Sequence, residues 1–282
     1  MEHPIIVVIA TGEMGAAVGG RLNEKGAEVR TSLKGRSAAS TSRAKKHGFT
    51  AIDDDMALLR SAEFVLSIVP PGDALALAQR LAPAIKAAGA RATYVECNAI
   101  SPGTAKEVAS VIAPTGARFV DAGIIGGPPQ PNTPGPKFYA SGPDARRFVR
   151  LKDYGLDVRP IEGGIGAASA LKMSYGSLTK GVNAIGIAMM LAASEAGVDG
   201  VLKRELADSQ PQLKALLERS VPRSLPKAYR WVAEMEEIAR FIGAPALGGE
   251  MFEGVARLYE SIARANAADG REIKTLKKFV RD

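Results

Sequence analysis

The stretch IIVVIATGEMGAAVGG, Ile5 to Gly20, decides how this chain folds. Ile5 to Ile9 are all β-branched, which favours an extended strand. Thr11, Gly12, Glu13, Met14 and Gly15 then make a tight turn into the small residues that open a helix. The segment nearly spells the dinucleotide-binding fingerprint G-x-G-x-x-G, with Ala10 where the first glycine belongs. Gly12 removes the Cβ that would keep a pyrophosphate from the backbone, and Gly15 lets the helix pack closely on the strand. The free N–H groups and positive dipole end of that helix point at the phosphates. A methyl at position 10 is tolerable if φ stays negative and nothing packs against it.

Residues 1–162 repeat this alternation of strand and helix, the pattern of a parallel sheet covered on both faces. Strands are predicted at residues 4–9, 27–33, near Thr50, 63–69, 92–96 and 118–122, the set of a Rossmann-type, doubly wound, mainly parallel α/β sheet. Two further strand-like pieces, 137–141 and 157–161, close the region. Helices are predicted at 73–88 and 101–112, the second with Ser101 as N-cap and Pro102 at the first helical position. Residues 163–282 change texture to Ala, Leu, Met, Glu and Lys at helical spacing, which predicts a second, all-helical domain. Its first helix is expected from Gly166 to about Ala196, about 45 Å long. Residues 128–136 are proline-dense and read as a stiffened loop.

The composition narrows the function classes. Of 282 residues, 46% are hydrophobic and 24% charged, as in globular proteins. No uninterrupted apolar run approaches the roughly 18 residues of a membrane span, and no secretion signal is seen, so a cytoplasmic location is expected. One cysteine, Cys97, cannot close an internal disulfide, and the two histidines, His3 and His47, lie far apart. No metal site is expected. The acidic run Asp53-Asp54-Asp55 reads as a cap for the helix that follows it. The net charge of +7 raises the question of nucleic acid, but aromatics are only 5% and no nucleic-acid motif is present.

Cofactor choice is read at the end of the second strand, where an acidic residue would hold the ribose hydroxyls of NAD. Here that end reads TSLKGRS, and no Asp or Glu occurs between Val29 and Ile52. Ser32, Lys34, Arg36 and Ser37 suit a 2′-phosphate instead, which a guanidinium can bind bidentately. NADP(H) is therefore expected in preference to NAD(H). Arg43, Lys45 and Lys46 are expected on a solvated helix face.

Four further segments complete an ordered set: SIVPP at Ser67–Pro71, ECNAISP at Glu96–Pro102, FVDAGIIGG at Phe119–Gly127 and GIGAASALK at Gly164–Lys172. With the G-E-M-G turn, the chain resembles the β-hydroxyacid dehydrogenase superfamily, which includes 3-hydroxyisobutyrate and 6-phosphogluconate dehydrogenases. The stretch AYRWVAEMEEIARFIGAP, 228–245, is similar to the C-terminal domain of an uncharacterised branch labelled 6-phosphogluconate dehydrogenase-like. The resemblance implies an active site between the two domains, a homodimer built by the helical domain, and Lys172 as general acid/base. A buried lysine can be tuned toward neutrality, as proton transfer near pH 7 requires. Val69, Pro70 and Asn98 are expected beside the cofactor. Asn98 and Ser101 follow the fifth strand, where ligands of such sheets bind; Ser101 reads equally well as a helix cap.

Two departures from the family bear on the substrate. Gly176 stands where the resemblance expects an asparagine one turn after the lysine, removing an amide and opening room. Tyr175 or Thr179, at i+3 and i+7 from Lys172, then supplies the missing hydrogen bond, unless both are core hydroxyls. Ile125-Gly126-Gly127 stands where a Ser-Gly-Gly would touch a substrate carboxylate; its glycine N–H groups can still face an anion. With the serine hydroxyl gone, a substrate bulkier or less polar than a simple short 3-hydroxy acid is expected, within the small, anionic hydroxyacids and related carbonyl compounds that the resemblance implies. Strict 6-phosphogluconate dehydrogenase activity is not expected, because the chain is much shorter. Two alternatives remain open: imine reduction on the same scaffold, and a non-catalytic NADPH-binding or sensing module.

Overall fold

The computed structural model describes residues 3–89, 92–243 and 248–281. Its sheet holds eight strands: β1 (Ile5–Ile9), β2 (Glu28–Thr31), β3 (Thr50–Ala51), β4 (Phe64–Ser67), β5 (Thr93–Glu96), β6 (Arg118–Ile125), β7 (Lys137–Ser141) and β8 (Asp157–Pro160). They lie in the order β3-β2-β1-β4-β5-β6-β7-β8, parallel except that β7 runs antiparallel to β6. The first six follow the doubly wound order, with its reversal between β1 and β4. The helices between them are α1 (Glu13–Glu24), α2 (Ala38–Lys46), α3 (Asp55–Leu59), α4 (Ala74–Ala87), α5 (Pro102–Ile112) and α6 (Ala145–Phe148).

Alternation along the strands sorts the core into two layers. Val7, Ile9, Val65 and Tyr94 face α3, α4 and α5, where Leu58, Leu77, Leu81 and Val108 close a first apolar cluster. Ile6, Val8, Leu66 and Val95 face the other way, onto Val18 and Leu22 of α1 and onto Phe148 and Leu151. The central strands β1, β4 and β5 are therefore buried on both sides, which is why the sequence carries near-continuous apolar runs there.

After β8 every regular element among the described residues is helical. These are α7 (Ala167–Glu195), α8 (Asp199–Ser209), α9 (Pro211–Ser224), α10 (Ala228–Ile242), α11 (Gly249–Ala267) and α12 (Arg271–Arg281). The chain forms two compact units, which part inside α7 between Met173 and Ser174. The last strand ends at Pro160, ahead of the compositional change at 162/163, and α7 begins at Ala167. At 29 residues α7 is the one described helix long and apolar enough to cross a membrane. It carries polar groups with partners of their own: Asn183 Oδ1 accepts from Ser220 Oγ at 2.8 Å, and Lys180 pairs with Glu234. Lys180 also stands 5.4 Å over the ring of Trp231, which meets Tyr259 edge-on.

The turn between β1 and α1 makes its two glycines unequal. A Cβ at Gly15 would lie 1.9 Å from the carbonyl oxygen of Ala10, a backbone atom with nowhere to go. A Cβ at Gly12 would meet nothing within 4 Å. Gly15→Ala is accordingly expected to lower unfolding stability by about 2 kcal/mol through overpacking. Gly12→Ala should stay within about 0.5 kcal/mol of the parent. Urea unfolding of both variants checks the contrast.

Candidate functional site

The C-terminal ends of the parallel strands, and the starts of helices that follow them, form one edge of the sheet. Gly12 is the N-cap of α1 and supplies no side-chain cap, so no cap side chain stands between the positive end of the helix and an incoming anion. Thr11 is fully buried, and its Oγ1 has no hydrogen-bond partner in the described protein. An open Cβ position, an uncapped helix N-terminus and an orphaned buried hydroxyl fit a dinucleotide pyrophosphate. Ala10 has no positive φ, and its methyl belongs to the first apolar cluster, so the position is packed after all. Glu13 is exposed in the first turn of α1, while Met14 packs against the second cluster.

Arg43 corrects one expectation. Its Nε donates to the carbonyl oxygen of Thr11 at 2.9 Å and its guanidinium reaches Ser40 Oγ at 3.2 Å, so it braces the fingerprint turn. Lys45 and Lys46 are exposed, as a solvated face requires. At the end of β2, Ser32 is buried, Lys34 exposed and Arg36 half-buried, and Ser37 is the N-cap of α2, accepting from Ser40 N at 3.3 Å. The aspartate run divides: Asp54 caps α3 through Ala57 N at 2.8 Å, whereas Asp55 takes both prongs of Arg80 at 2.6 and 2.9 Å.

The next strands place a polar row across the edge. Register pairs Ser67 with Glu96, Glu96 with Asp121 and Asp121 with Ser141, and all four are fully buried. Asn98 is bound into this row: its N–H donates to Glu96 Oε1 at 2.9 Å and its Nδ2 to Ser67 Oγ at 2.8 Å. Its Oδ1 accepts from Val69 N at 2.6 Å. The Asn98 amide thus ties the β4 and β5 loops together, and acts on Val69 and the exposed Pro70 by fixing the turn they occupy. Ser101 caps α5 by accepting from Thr104 N at 3.2 Å. Burial raises the Glu96 carboxyl to about 8, against the opposing pull of the Asn98 N–H and Ser67. Burial also pushes the Cys97 thiol well up, with Glu96 and Asp121 adding to it, so the sulfur is no ready nucleophile.

Asp121 receives α7. Its Oδ2 accepts from Gly166 N at 2.9 Å, Ser169 N at 3.1 Å and Ser141 Oγ at 3.0 Å, and its Oδ1 from Ser169 Oγ at 2.5 Å. Ser141 Oγ in turn accepts from Ala168 N at 2.9 Å. Gly123 lets the helix come this close, since a Cβ there would lie 2.8 Å from the Ala168 carbonyl oxygen and 3.0 Å from Lys172 Cβ. With the helix so held, Lys172 Nζ donates to the Ile124 carbonyl oxygen at 2.7 Å. Ile125 follows half-buried, then Gly126 and Gly127 exposed, so their backbone faces the same edge as the lysine head.

Further along α7, Gly176 departs from expectation, whereas Tyr175 and Thr179 keep their hydroxyls out of the core. Gly176 is buried, and the Cβ it lacks would lie 3.4 Å from Ile238 Cδ1 and 3.5 Å from Glu234 Oε1. The space of the missing side chain is filled by α10, so no room opens. Thr179 Oγ1 donates back to the Tyr175 carbonyl oxygen at 3.0 Å, while Tyr175 is 50% exposed, so neither hydroxyl is a core one. Sequence reasoning missed Ser67, Ser141, Ser169 and Arg43 as contributors; serines and arginines far apart in sequence carry no signal until strand register is known.

The chain is similar to known proteins over nearly its whole length. A family model described as the NAD binding domain of 6-phosphogluconate dehydrogenase matches residues 5–153, and a domain of unknown function matches residues 193–262. An uncharacterized 28.5 kDa protein from the 7S RNA 5′ region of Methanothermus fervidus is 28% identical over 255 residues, 90% of this chain and 97% of its own. A conserved protein of unknown function, whose structure reveals similarity with 3-hydroxyacid dehydrogenases, superposes with a TM-score of 0.66 at 29% identity, over 93% of this chain and 98% of that one. A 3-hydroxyisobutyrate dehydrogenase from Salmonella typhimurium shares the fold, with a TM-score of 0.71 at 17% identity over 98% and 100% of the two chains. Ala244 and Pro245, which end the similar stretch 228–245, lie outside the described residues.

The buried carboxyl of Glu96 ties stability to pH. In the unfolded chain it ionises near the ordinary value of 4.5, while the folded protein keeps the proton up to about 8. Stability is then full below the lower value, falls as pH rises between the two, and is flat above, a loss on the order of 3–5 kcal/mol. Glu96→Gln keeps an acceptor for Asn98 N–H and cannot ionise. Its melting temperature is expected to drop less than the parent's between pH 5 and 9, as followed by circular dichroism; parallel declines would show that Glu96 is not the cause.

Proposed function

The chain belongs to the family defined by the NAD binding domain of 6-phosphogluconate dehydrogenase, and from that membership and the geometry of the sheet edge we propose that it is an NADP(H)-dependent oxidoreductase acting on a small hydroxyacid or the related carbonyl compound. The observation that carries the reading is Lys172, whose Nζ is held on the Ile124 carbonyl oxygen at 2.7 Å, one residue before Ile125-Gly126-Gly127. When bound, the nicotinamide supplies or accepts a hydride. Thr11, Gly12 and the first turn of α1 would hold the pyrophosphate, Ser32, Lys34, Arg36 and Ser37 the 2′-phosphate, and Val69 and Pro70 the loop beside the nicotinamide.

The protein's own part in the reaction is to place a proton. In reduction Lys172 gives a proton from Nζ to the carbonyl oxygen of the substrate; in oxidation neutral Lys172 takes it from the hydroxyl. The Ile124 carbonyl keeps the amine aimed along the edge of the sheet in both directions. N–H groups of Gly126 and Gly127 orient the anionic end of the substrate. The Asn98 clamp fixes the wall on the other side, so the reacting groups are held rather than sampled.

Lys172→Ala is expected to lower kcat by about 10²–10⁴-fold while the dinucleotide Kd stays within about twofold. Assays on a panel of 3-hydroxy acids, 3-keto acids and a cyclic imine, with titration calorimetry for the Kd, check both halves. Near-full turnover by the variant sinks the mechanism. Turnover of the imine alone moves the reading to imine reduction, and binding without turnover of any compound moves it to a sensing module.

The partner in this reading is a second copy of the chain. Leu178 and Ile185 are 66% and 65% exposed and lie seven residues apart on α7, hence on one face. Such a stripe on a helix calls for a cover. The parent is expected to run at twice the chain mass in light scattering, and the double variant Leu178→Glu, Ile185→Glu at the mass of one chain.

A further inference from the structure

The end of β2 lacks an acidic residue in sequence, yet it has one in space. β3 pairs in parallel with β2, Thr31 opposite Ala51, so two residues further on Asp53 falls beside Leu33. Its Oδ1 accepts from Leu33 N at 2.9 Å and from Ser32 Oγ at 3.3 Å, and Ser32 Oγ accepts from Lys34 N at 3.4 Å. Asp54 and Asp55 are spent on α3 and Arg80, so of the three aspartates Asp53 alone is turned to β2. It is exposed, and its charge therefore reaches the solvent that any ligand at this strand end must displace.

We propose that Asp53 is a cofactor-discriminating residue: its carboxylate occupies two donors at the end of β2 and sets a negative charge against Lys34 and Arg36, restraining the preference for NADP(H) over NAD(H). The inference rests on the reading that a nicotinamide dinucleotide lies at this edge. A 2′-phosphate brings up to two negative charges toward the Asp53 carboxylate, whereas the 2′-hydroxyl of NAD brings none. At a separation of several ångströms in a solvent-exposed setting, that repulsion corresponds to roughly a tenfold difference in affinity. The cations favour the phosphate and Asp53 opposes it, so selectivity is the balance of the two and is weakened by salt.

Asp53→Asn leaves an oxygen to accept from Leu33 N and removes the charge. Calorimetric Kd values for NADPH and NADH on the full-length chain are expected to show NADPH binding about tenfold more tightly in the variant. NADH should stay within about twofold, and the gain should shrink at high salt. Asp53→Ser, which removes charge and reach together, should shift the ratio the same way even if both affinities fall. A ratio unchanged in both variants, or moved toward NADH, overturns the role of Asp53 while leaving the dinucleotide site standing. A parent chain that binds neither dinucleotide would overturn the site itself and the inference with it.

Discussion

The geometry of the sheet edge depends on one buried carboxylate. Asp121 takes four donors, three of them from the first turn of α7 and its approach, and so fixes where a 29-residue helix begins. Hydrogen bonds to a charged acceptor each contribute about 1.5–3 kcal/mol, and leaving such an acceptor bare in the interior costs more than any one of them. Three residues past Asp121 on the strand is Ile124; three residues past Ser169 on the helix is Lys172. The anchor and the lysine contact are the two ends of a single strand-to-helix seam, with Gly123 between them to let the backbones close.

Beside Asp121 in register stands Glu96, and the fold treats the two acids in opposite ways. One is saturated with donors; the other is kept neutral by burial, up to a pH of about 8. Two adjacent buried charges would repel strongly in a medium of low polarizability, so the arrangement avoids that cost without giving up either side chain. Ser67 and Ser141 extend the row on each side; the loop after β5 docks on it through Asn98, and the first turn of α7 through Ala168. The row is a polar foundation under an otherwise apolar sheet.

Much of this was legible beforehand because strands buried on both faces and long helices write themselves in apolar periodicity. The helix expected from Gly166 to about Ala196 runs from Ala167 to Glu195, and the strand expected at 137–141 runs from Lys137 to Ser141. What escaped were facts of register and reach. Asp121 and Glu96 stood inside recognised motifs, but only strand pairing sets them side by side. Arg43 was assigned to solvent because helix spacing says which face a residue is on and not what lies opposite. Gly176 looked like a vacancy because a sequence shows a missing side chain and not the neighbour that fills its place. The charge just past the end of β2 is purely cationic in sequence, and the chain after β3 brings Asp53 beside it from twenty residues away.

The boundary between the two compact units falls just after Met173, inside one continuous helix. Lys172 and the Ile124 carbonyl that accepts from it lie in the same unit as the turn between β1 and α1. Tyr175, Gly176 and Thr179 belong to the other. Substitutions in the helical unit can therefore accumulate without touching either the Asp121 anchor or the contact of Lys172 with Ile124.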